Sequence, residues 1–384
     1  MILTSNTIKS RYTSFVIQVC SVIFLFFCTT NRLIPFPIDK VMVFALLGLV
    51  GIWDPSQSYF KAKELALIVV IFGLAVLSSA ANVILAPMIF FPALGIAFSI
   101  TIAKHPRLII SSLFYALGIH ILLAIIFVVL ALKTGIVNDY VWSMREKGLP
   151  NVFSARGFTA TVQTFGTLCM LWLVIYFIRK KQGLLNNWDR FFFVINLIGI
   201  LITLNRSTYI FWMIILFFKM RKLFWSIMLF IMAFVIRFWF EIMTFLTNKD
   251  SLTARSELLE GFNISFWNSN SPIVYIFGRG INQYSPEVLA KVKWDYRTDI
   301  ENGYAMILHT YGFLGLIFYV TACLFFISKF IVIRRYAEAV ILFYFLFVAP
   351  YFTQEFVSTT FYLFIGTMIL LYNMYKHKYQ FVNE

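Results

Sequence analysis

Apolar runs of near-bilayer length follow one another through almost the whole chain, parted by short polar turns. They fall at about 12–31, 37–53, 64–80, 82–102, 108–132, 157–178, 190–205, 207–218, 223–245, 303–327, 337–352 and 358–375. A helix needs roughly 20 apolar residues to cross hydrocarbon. The backbone finds no water there, so each run is expected to be helical. The chain is 61% hydrophobic and 13% charged, where a soluble domain carries about a quarter charged residues. The expected fold is all-α: a polytopic transmembrane helical bundle of about 12 spans, forming one integral membrane domain over residues 1–384.

The net charge of +15 raises nucleic acid as a partner, but the bases sit in short clusters between the apolar runs. No continuous basic face exists of the kind a duplex reader needs, so no nucleic acid is expected. The clusters instead read as orientation signals. With the N-terminus inside, the inner segments hold Lys9/Arg11, Lys61/Lys63, Lys104/Arg107, Arg179/Lys180/Lys181/Arg190, Lys219/Arg221/Lys222, Lys329/Arg334/Arg335 and Lys376/Lys378. These are eighteen of the thirty-two bases. Both termini are therefore expected on the cytoplasmic side of the membrane, with the lipid bilayer as a partner. Lys9 and Arg11 precede an apolar run with no small-residue cleavage site after it, so that run is read as a retained span.

The inner loops are short. That leaves no room for a cytoplasmic nucleotide-binding domain, and no GxxxxGK[ST] stretch is present. Cys20, Cys28, Cys169 and Cys323 fall inside apolar runs at spacings that fit neither a metal knuckle nor a redox pair. His105, His120, His309 and His377 are scattered, so no metal site is expected.

Two longer polar segments face the other side: a first periplasmic loop at 133–156 and a large one at 246–302, the latter expected to carry short helices. Arg156 closes the first loop. After it come Thr159, Thr161, Gln163, Thr164 and Thr167, a small polar face that either packs against other helices or lines a cavity. Arg206 stands between two short runs, either binding an anion or snorkelling to the interface. Arg237 and Glu241, at i,i+4 spacing, read as a mutual ion pair.

In the large loop, Arg255, Leu258, Leu259 and Phe262 share one face of a short helix. Gly278-Arg279-Gly280 reads as a turn or as an anion-binding nest of exposed N–H groups. Ser285-Pro286-Glu287 opens a second short helix. Glu301 and Asn302 stand at the mouth of the tenth run, with His309 about two turns further on. A carboxylate or imidazole there can take a proton from a sugar hydroxyl; the plainer role of His309 is an interhelical hydrogen bond. Gly312 and Gly315 read as points where helices approach closely.

The local sequences LNRSTYIF, LTARSELLEGF, FGRGIN and ENGYAMILHTYGFLGLIFYV, in a chain of a dozen apolar runs with one large late loop, resemble the superfamily of O-antigen polymerases and O-antigen ligases. The chain departs from the ligases in carrying Glu301 where they often show histidine before the asparagine, and so is more similar to the polymerases. The resemblance implies a metal-independent glycosyltransferase. Its donor and acceptor would be undecaprenyl-pyrophosphate-linked glycans, with a chain-length regulator and a flippase as partners and no cofactor. It casts Glu301 and His309 as catalytic, and Arg156, Arg206, Arg255, Arg279 and Asn302 as binding the pyrophosphate or glycan. Arginine suits that task because its planar fork meets phosphate oxygens in pairs. The rival expectations are a ligase acting on lipid A core and, in another class, a lipid-linked oligosaccharide flippase.

Overall fold

The computed structural model describes residues 5–31, 33, 36–55, 59–82, 87–144, 152–237, 259, 262–269, 271–280, 302–352, 356 and 358–377. Among them are fourteen α-helices. In chain order these are α1 (Ser5–Cys28), α2 (Ile38–Trp53), α3 (Ala62–Asn82), α4 (Phe91–Lys104), α5 (Pro106–Thr134), α6 (Val162–Lys181), α7 (Asn187–Ile202), α8 (Arg206–Lys219), α9 (Arg221–Arg237), α10 (Pro272–Phe277), α11 (Gly303–Val332), α12 (Tyr336–Phe343), α13 (Ala349–Phe352) and α14 (Thr359–His377). Every apolar run of the sequence contains helix. Four of these helices, α3, α5, α6 and α11, are long and apolar enough to cross a membrane, the pattern of a multi-pass membrane protein.

The helix ends follow from capping chemistry. Pro106, with its φ already helical, sits in the first turn of α5, and Gly135 ends that helix in the left-handed conformation. Asn186 and Asp189 form a reciprocal capping box that starts α7. Thr161, Asn205 and Asn302 cap α6, α8 and α11 with their side-chain oxygens. The short runs on either side of Arg206 are separate helices because Leu204 takes a positive φ of 48° and turns the chain between them.

The core centres on α6. Leu168, Cys169, Met170, Leu171, Trp172 and Leu173 are all fully buried, so this helix is enclosed on every side. The Trp172 indole N–H donates to the Phe114 carbonyl of α5 at 3.0 Å. Arg179, near the end of α6, holds Asp189 through Nε at 2.6 Å and Nη2 at 3.1 Å. Both side chains are almost wholly buried.

The first polar loop contains structure that the sequence reading did not anticipate. Strands β1 (Val141–Ser143) and β2 (Phe153–Ala155) pair antiparallel, Trp142 opposite Ser154. The segment after β2 reaches down to His120 in the middle of α5. The Phe158 N–H donates to His120 Nε2 at 3.1 Å, so Nδ1 carries the proton and donates to the Thr29 hydroxyl at 3.0 Å.

α11 is broken. Gly312 has φ 66° and ψ −165°, far from helical. The break leaves carbonyls of the preceding turn without helical donors, and a short crossing segment supplies replacements. The Arg279 N–H donates to the His309 carbonyl at 2.5 Å, and the Gly280 N–H to the Thr310 carbonyl at 3.2 Å. The Ser78 hydroxyl of α3 also donates to the Thr310 carbonyl, at 2.6 Å. Asn82 closes the joint by donating to the Gly278 carbonyl at 2.8 Å. Backbones touch directly here: a Cβ on Gly312 would collide with the Ile276 carbonyl, and one on Gly278 with the backbone of Thr310. The described part of the 246–302 stretch is therefore packed into the bundle. Val274 and Phe266 are buried, and α10 packs on α3 and α11.

Hydrogen bonds between helix ends fall into two sets. At one end, called here the basic end, Lys104 meets Glu64 at 2.6 Å, Arg179 meets Asp189, and Lys219 meets Glu338 at 2.6 Å. At the other, the loop end, the Asn31 N–H donates to the Phe158 carbonyl at 3.0 Å, Thr359 to Asp39 at 2.8 Å and Asn302 to the Tyr351 carbonyl at 3.2 Å.

Gly312→Ala is expected to destabilise the protein by about 3 kcal/mol or more, since alanine cannot take this backbone conformation without strain and has no space. Gly73→Ala on α3, where nothing lies within 4 Å, serves as the neutral comparison in the same thermal unfolding experiment in detergent. Arg179→Ala leaves Asp189 buried and unpaired and is expected to cost roughly 3–5 kcal/mol. The double replacement Arg179→Met/Asp189→Leu should recover most of that loss, all but about 1 kcal/mol for the missing cap of α7.

Candidate functional site

The first turn of α8 stands at the loop end with Arg206 as its opening residue and Asn205 as its cap. The Asn205 side chain accepts the Ser207 N–H at 2.9 Å. The remaining N–H groups of that turn carry the positive end of the helix dipole. A small recess opens beside it, lined by Gln163, Gly166 and Thr167 of α6, Asn205, Ser207, Thr208 and Phe211 of α8, and Phe345 and Ala349 of the α12–α13 region. Its volume is about 10 Å³, room for one water molecule. Its lining mixes the polar residues Gln163, Thr167, Asn205, Ser207 and Thr208 with a larger apolar share that includes the rings of Phe211 and Phe345. Phe345 packs on Phe361, Phe364 and Phe211 with ring centroids 5.3, 4.0 and 6.0 Å away.

The polar face after Arg156 thus splits in two. Gln163 and Thr167 line the recess. Thr161 caps α6 by accepting the Thr164 N–H at 3.1 Å, and the Thr159 hydroxyl lies 2.7 Å from the Arg156 carbonyl. Arg156 itself is buried in the hairpin. Its guanidinium donates to the Asp139 carbonyl and lies 5.8 Å from the Trp142 ring centroid. The Ser154 hydroxyl donates to the Thr203 carbonyl, tying the hairpin to the turn that precedes Arg206. Arg156 and Arg206 so flank one corner of the loop end, with Arg206 exposed on its rim.

Arg279 and His309 form a second group. The Ser265 hydroxyl and His309 Nε2 are 2.9 Å apart, and Arg279 Nε donates to the Ser265 carbonyl at 2.6 Å. All of this packs against the break in α11. The structure corrects the anion-nest reading of Gly278-Arg279-Gly280. The N–H groups of Arg279 and Gly280 are not exposed; they are spent on the carbonyls that the break releases. Gly312 is a close-approach point, as its sequence context suggested, whereas a Cβ on Gly315 would meet only the Tyr311 side chain of its own helix. Asn302 is a helix cap: its oxygen accepts the Ala305 N–H at 3.0 Å and its amide donates to Tyr351.

Glu301 and Arg255, the other proposed site residues, lie outside the described residues. So do Glu241, the partner assigned to Arg237, and Ser285-Pro286-Glu287; of the helix face built on Arg255, only Leu259 and Phe262 are described. Arg237 ends α9 and is exposed.

Several residues here went unnoticed in the sequence. Asn205 and Ser207 flank Arg206 in an Asn-Arg-Ser cap signal that was legible in principle. Ser78 and Asn82 share one face at i,i+4 spacing at the end of α3. Asp39, buried at the start of α2 against Lys40 and Thr359, had only its position at a helix N-terminus to mark it. No protein-family model and no curated protein matches the chain.

Asn302→Ser keeps an oxygen that caps α11 and is expected to leave folding and function near wild type. Asn302→Ala should cost about 1 kcal/mol of stability. Thermal unfolding and complementation of a deletion strain, read together, separate a cap from a substrate ligand, which would lose function in both variants.

Proposed function

We propose that this chain is a glycosyltransferase of the O-antigen polymerase type. It would extend a lipid-linked polysaccharide at the periplasmic face of the bacterial inner membrane. In this reading the bundle has about twelve spans, both termini lie in the cytoplasm, the basic end faces inward and the loop end outward. The observation that carries it is the loop-end corner, where Arg206, the N-terminus of α8 and the small recess meet. A helix N-terminus with an arginine on its first turn is built for phosphate oxygens.

The reaction needs little more than that. Pyrophosphate already leaves readily, so the protein has to neutralise it, hold the two lipid-linked glycans in register and take a proton from the attacking sugar hydroxyl. Arg206 serves the pyrophosphate at the rim, where a ligand too large for the recess has to sit. Arg156 supports the corner through the hairpin. Arg255 and Arg279 remain proposed anion contacts, and Glu301 and His309 the proposed bases. Of the two, His309 already shares its Nε2 with Ser265, which favours Glu301 as the proton acceptor. The ligase reading shares this geometry and is set second by Glu301 standing where ligases show histidine. The flippase reading is set third because the longer polar loops and the exposed Arg206 stand at one end of the bundle.

A chromosomal deletion separates the three. Loss of a polymerase leaves core capped with a single repeat unit; loss of a ligase leaves long chains on the carrier lipid; loss of a flippase strands units inside. The expected result is the single-repeat phenotype, rescued by the wild-type gene and not by Arg206→Ala. With transition-state stabilisation reduced by about 2–4 kcal/mol, that variant should make polymer at roughly a thirtieth to a thousandth of the wild-type rate while its membrane level is unchanged on an immunoblot. Full polymer from Arg206→Ala would remove this corner from the mechanism.

A further inference from the structure

At the basic end, four helices bring two cations onto one aromatic ring and a third onto the carboxylate that the ring's hydroxyl holds. Lys181 ends α6, Lys219 ends α8, Arg335 precedes α12, and Tyr375 lies in the last turn of α14. The Lys181 ammonium and the Arg335 guanidinium each stand 4.0 Å from the centroid of the Tyr375 ring. They are therefore no further than twice that distance from one another. Lys219 is 2.6 Å from Glu338, and the Tyr375 hydroxyl donates to the same carboxylate at 2.9 Å. Lys181 feels Arg335, Lys219 and Glu338 as neighbouring charges.

The charges do not balance. Glu338 is buried and committed to Lys219 and Tyr375, so it offsets one cation of the three. Among the described residues neither Lys181 nor Arg335 has a carboxylate within ion-pair distance. Two like charges held this close at a low-dielectric boundary repel unless an anion sits between them. The ring holds them there, since a cation over an aromatic face is attracted even without a counter-ion. The backbone also bends to place Arg335: its neighbour Arg334 takes a positive φ of 58°, unusual for a residue with a side chain.

The surroundings say which kind of anion. Tyr336, Val340 and Phe343 follow Arg335 along α12 at i, i+4 and i+7 and are all exposed. The opposite face of the same helix, with Glu338, Ala339, Ile341 and Leu342, is buried. An apolar stripe thus runs from the cationic cluster along the outside of the bundle. A molecule with a charged phosphate and a hydrocarbon tail matches both parts; a free phosphate uses only the first. We propose that Lys181, Lys219 and Arg335, gathered on Tyr375 and continued by the α12 stripe, bind the phosphate and acyl chain of an anionic membrane lipid. This site lies at the end of the bundle opposite Arg206 and does not depend on glycan polymerisation.

Native mass spectrometry of the full-length protein, released from micelles doped with phosphatidylglycerol or phosphatidylcholine, tests it. The variant is Lys181→Gln/Arg335→Gln, because Lys219→Gln would strand the buried Glu338. Lys61→Gln/Lys63→Gln, which removes two bases at the same end, is the control. Wild type and control should retain phosphatidylglycerol in preference to phosphatidylcholine. The variant should lose that retention by about 30-fold, the combined effect of two basic residues at an anionic surface. A variant that fails to fold is replaced by the charge-preserving exchange Lys181→Arg/Arg335→Lys, which should bind like wild type. On the wild type alone, phosphatidylglycerol should raise the unfolding midpoint and phosphatidylcholine should not. Equal retention of the two lipids, an equal loss in the Lys61/Lys63 control, or displacement of the lipid by millimolar inorganic phosphate would each overturn the assignment.

Discussion

A hydrocarbon layer offers no hydrogen bonds, so a backbone group released inside it has to be met by another part of the protein. The architecture turns on that constraint at Gly312. A long apolar helix is allowed to break there only because the α10 segment, Ser78 and Asn82 arrive with the donors that the broken turn lacks. Seen this way, the sequence between α9 and α11 is divided. Part of it is charged and polar, and part is an inserted strut that completes another helix. The glycines at 278 and 312 are needed because the two backbones touch, and any side chain at either place would hold them apart.

The same economy shapes the two ends. At the loop end, a cap residue, a left-handed Leu204 and a hairpin hydroxyl together fix the first turn of α8 and leave Arg206 at its rim. At the basic end, buried carboxylates are each answered: Asp189 by Arg179, Glu338 by Lys219. These pairs cost desolvation and repay it only through close geometry. They set the ends of α6, α7, α8 and α12 in place relative to one another, which is how a cation cluster of fixed shape can exist on a surface that otherwise carries scattered bases.

Much of this could be read from the chain alone, and the reasons for what could not are physical. The apolar runs announce helices because length and hydrophobicity decide the matter locally. Asn186 with Asp189, Thr161 and Asn302 stand where cap chemistry predicts. The hairpin stayed hidden because strands of three residues carry too little alternation to read. Gly278-Arg279-Gly280 misled for a related reason: its N–H groups do bind oxygen, but the oxygens belong to residues some thirty positions later. The recess beside Arg206 draws its lining from three separate stretches; two of them, around Gln163 and Thr167 and around Asn205 and Ser207, are polar in the sequence, but nothing there says that they meet Phe345 and Ala349. Arg206 itself was conspicuous as a base on the side where bases are scarce, whereas Ser265 becomes visible only when His309 is seen beside it.

The aromatic floor under the recess has a consequence for what can enter it. Phe211, Phe345, Phe361 and Phe364 are buried and stacked on one another, and they close the corner from below. Two of these rings, Phe211 and Phe345, line the recess itself. At about 10 Å³ the recess takes one water molecule, so anything larger meets the protein at the rim, on the first turn of α8.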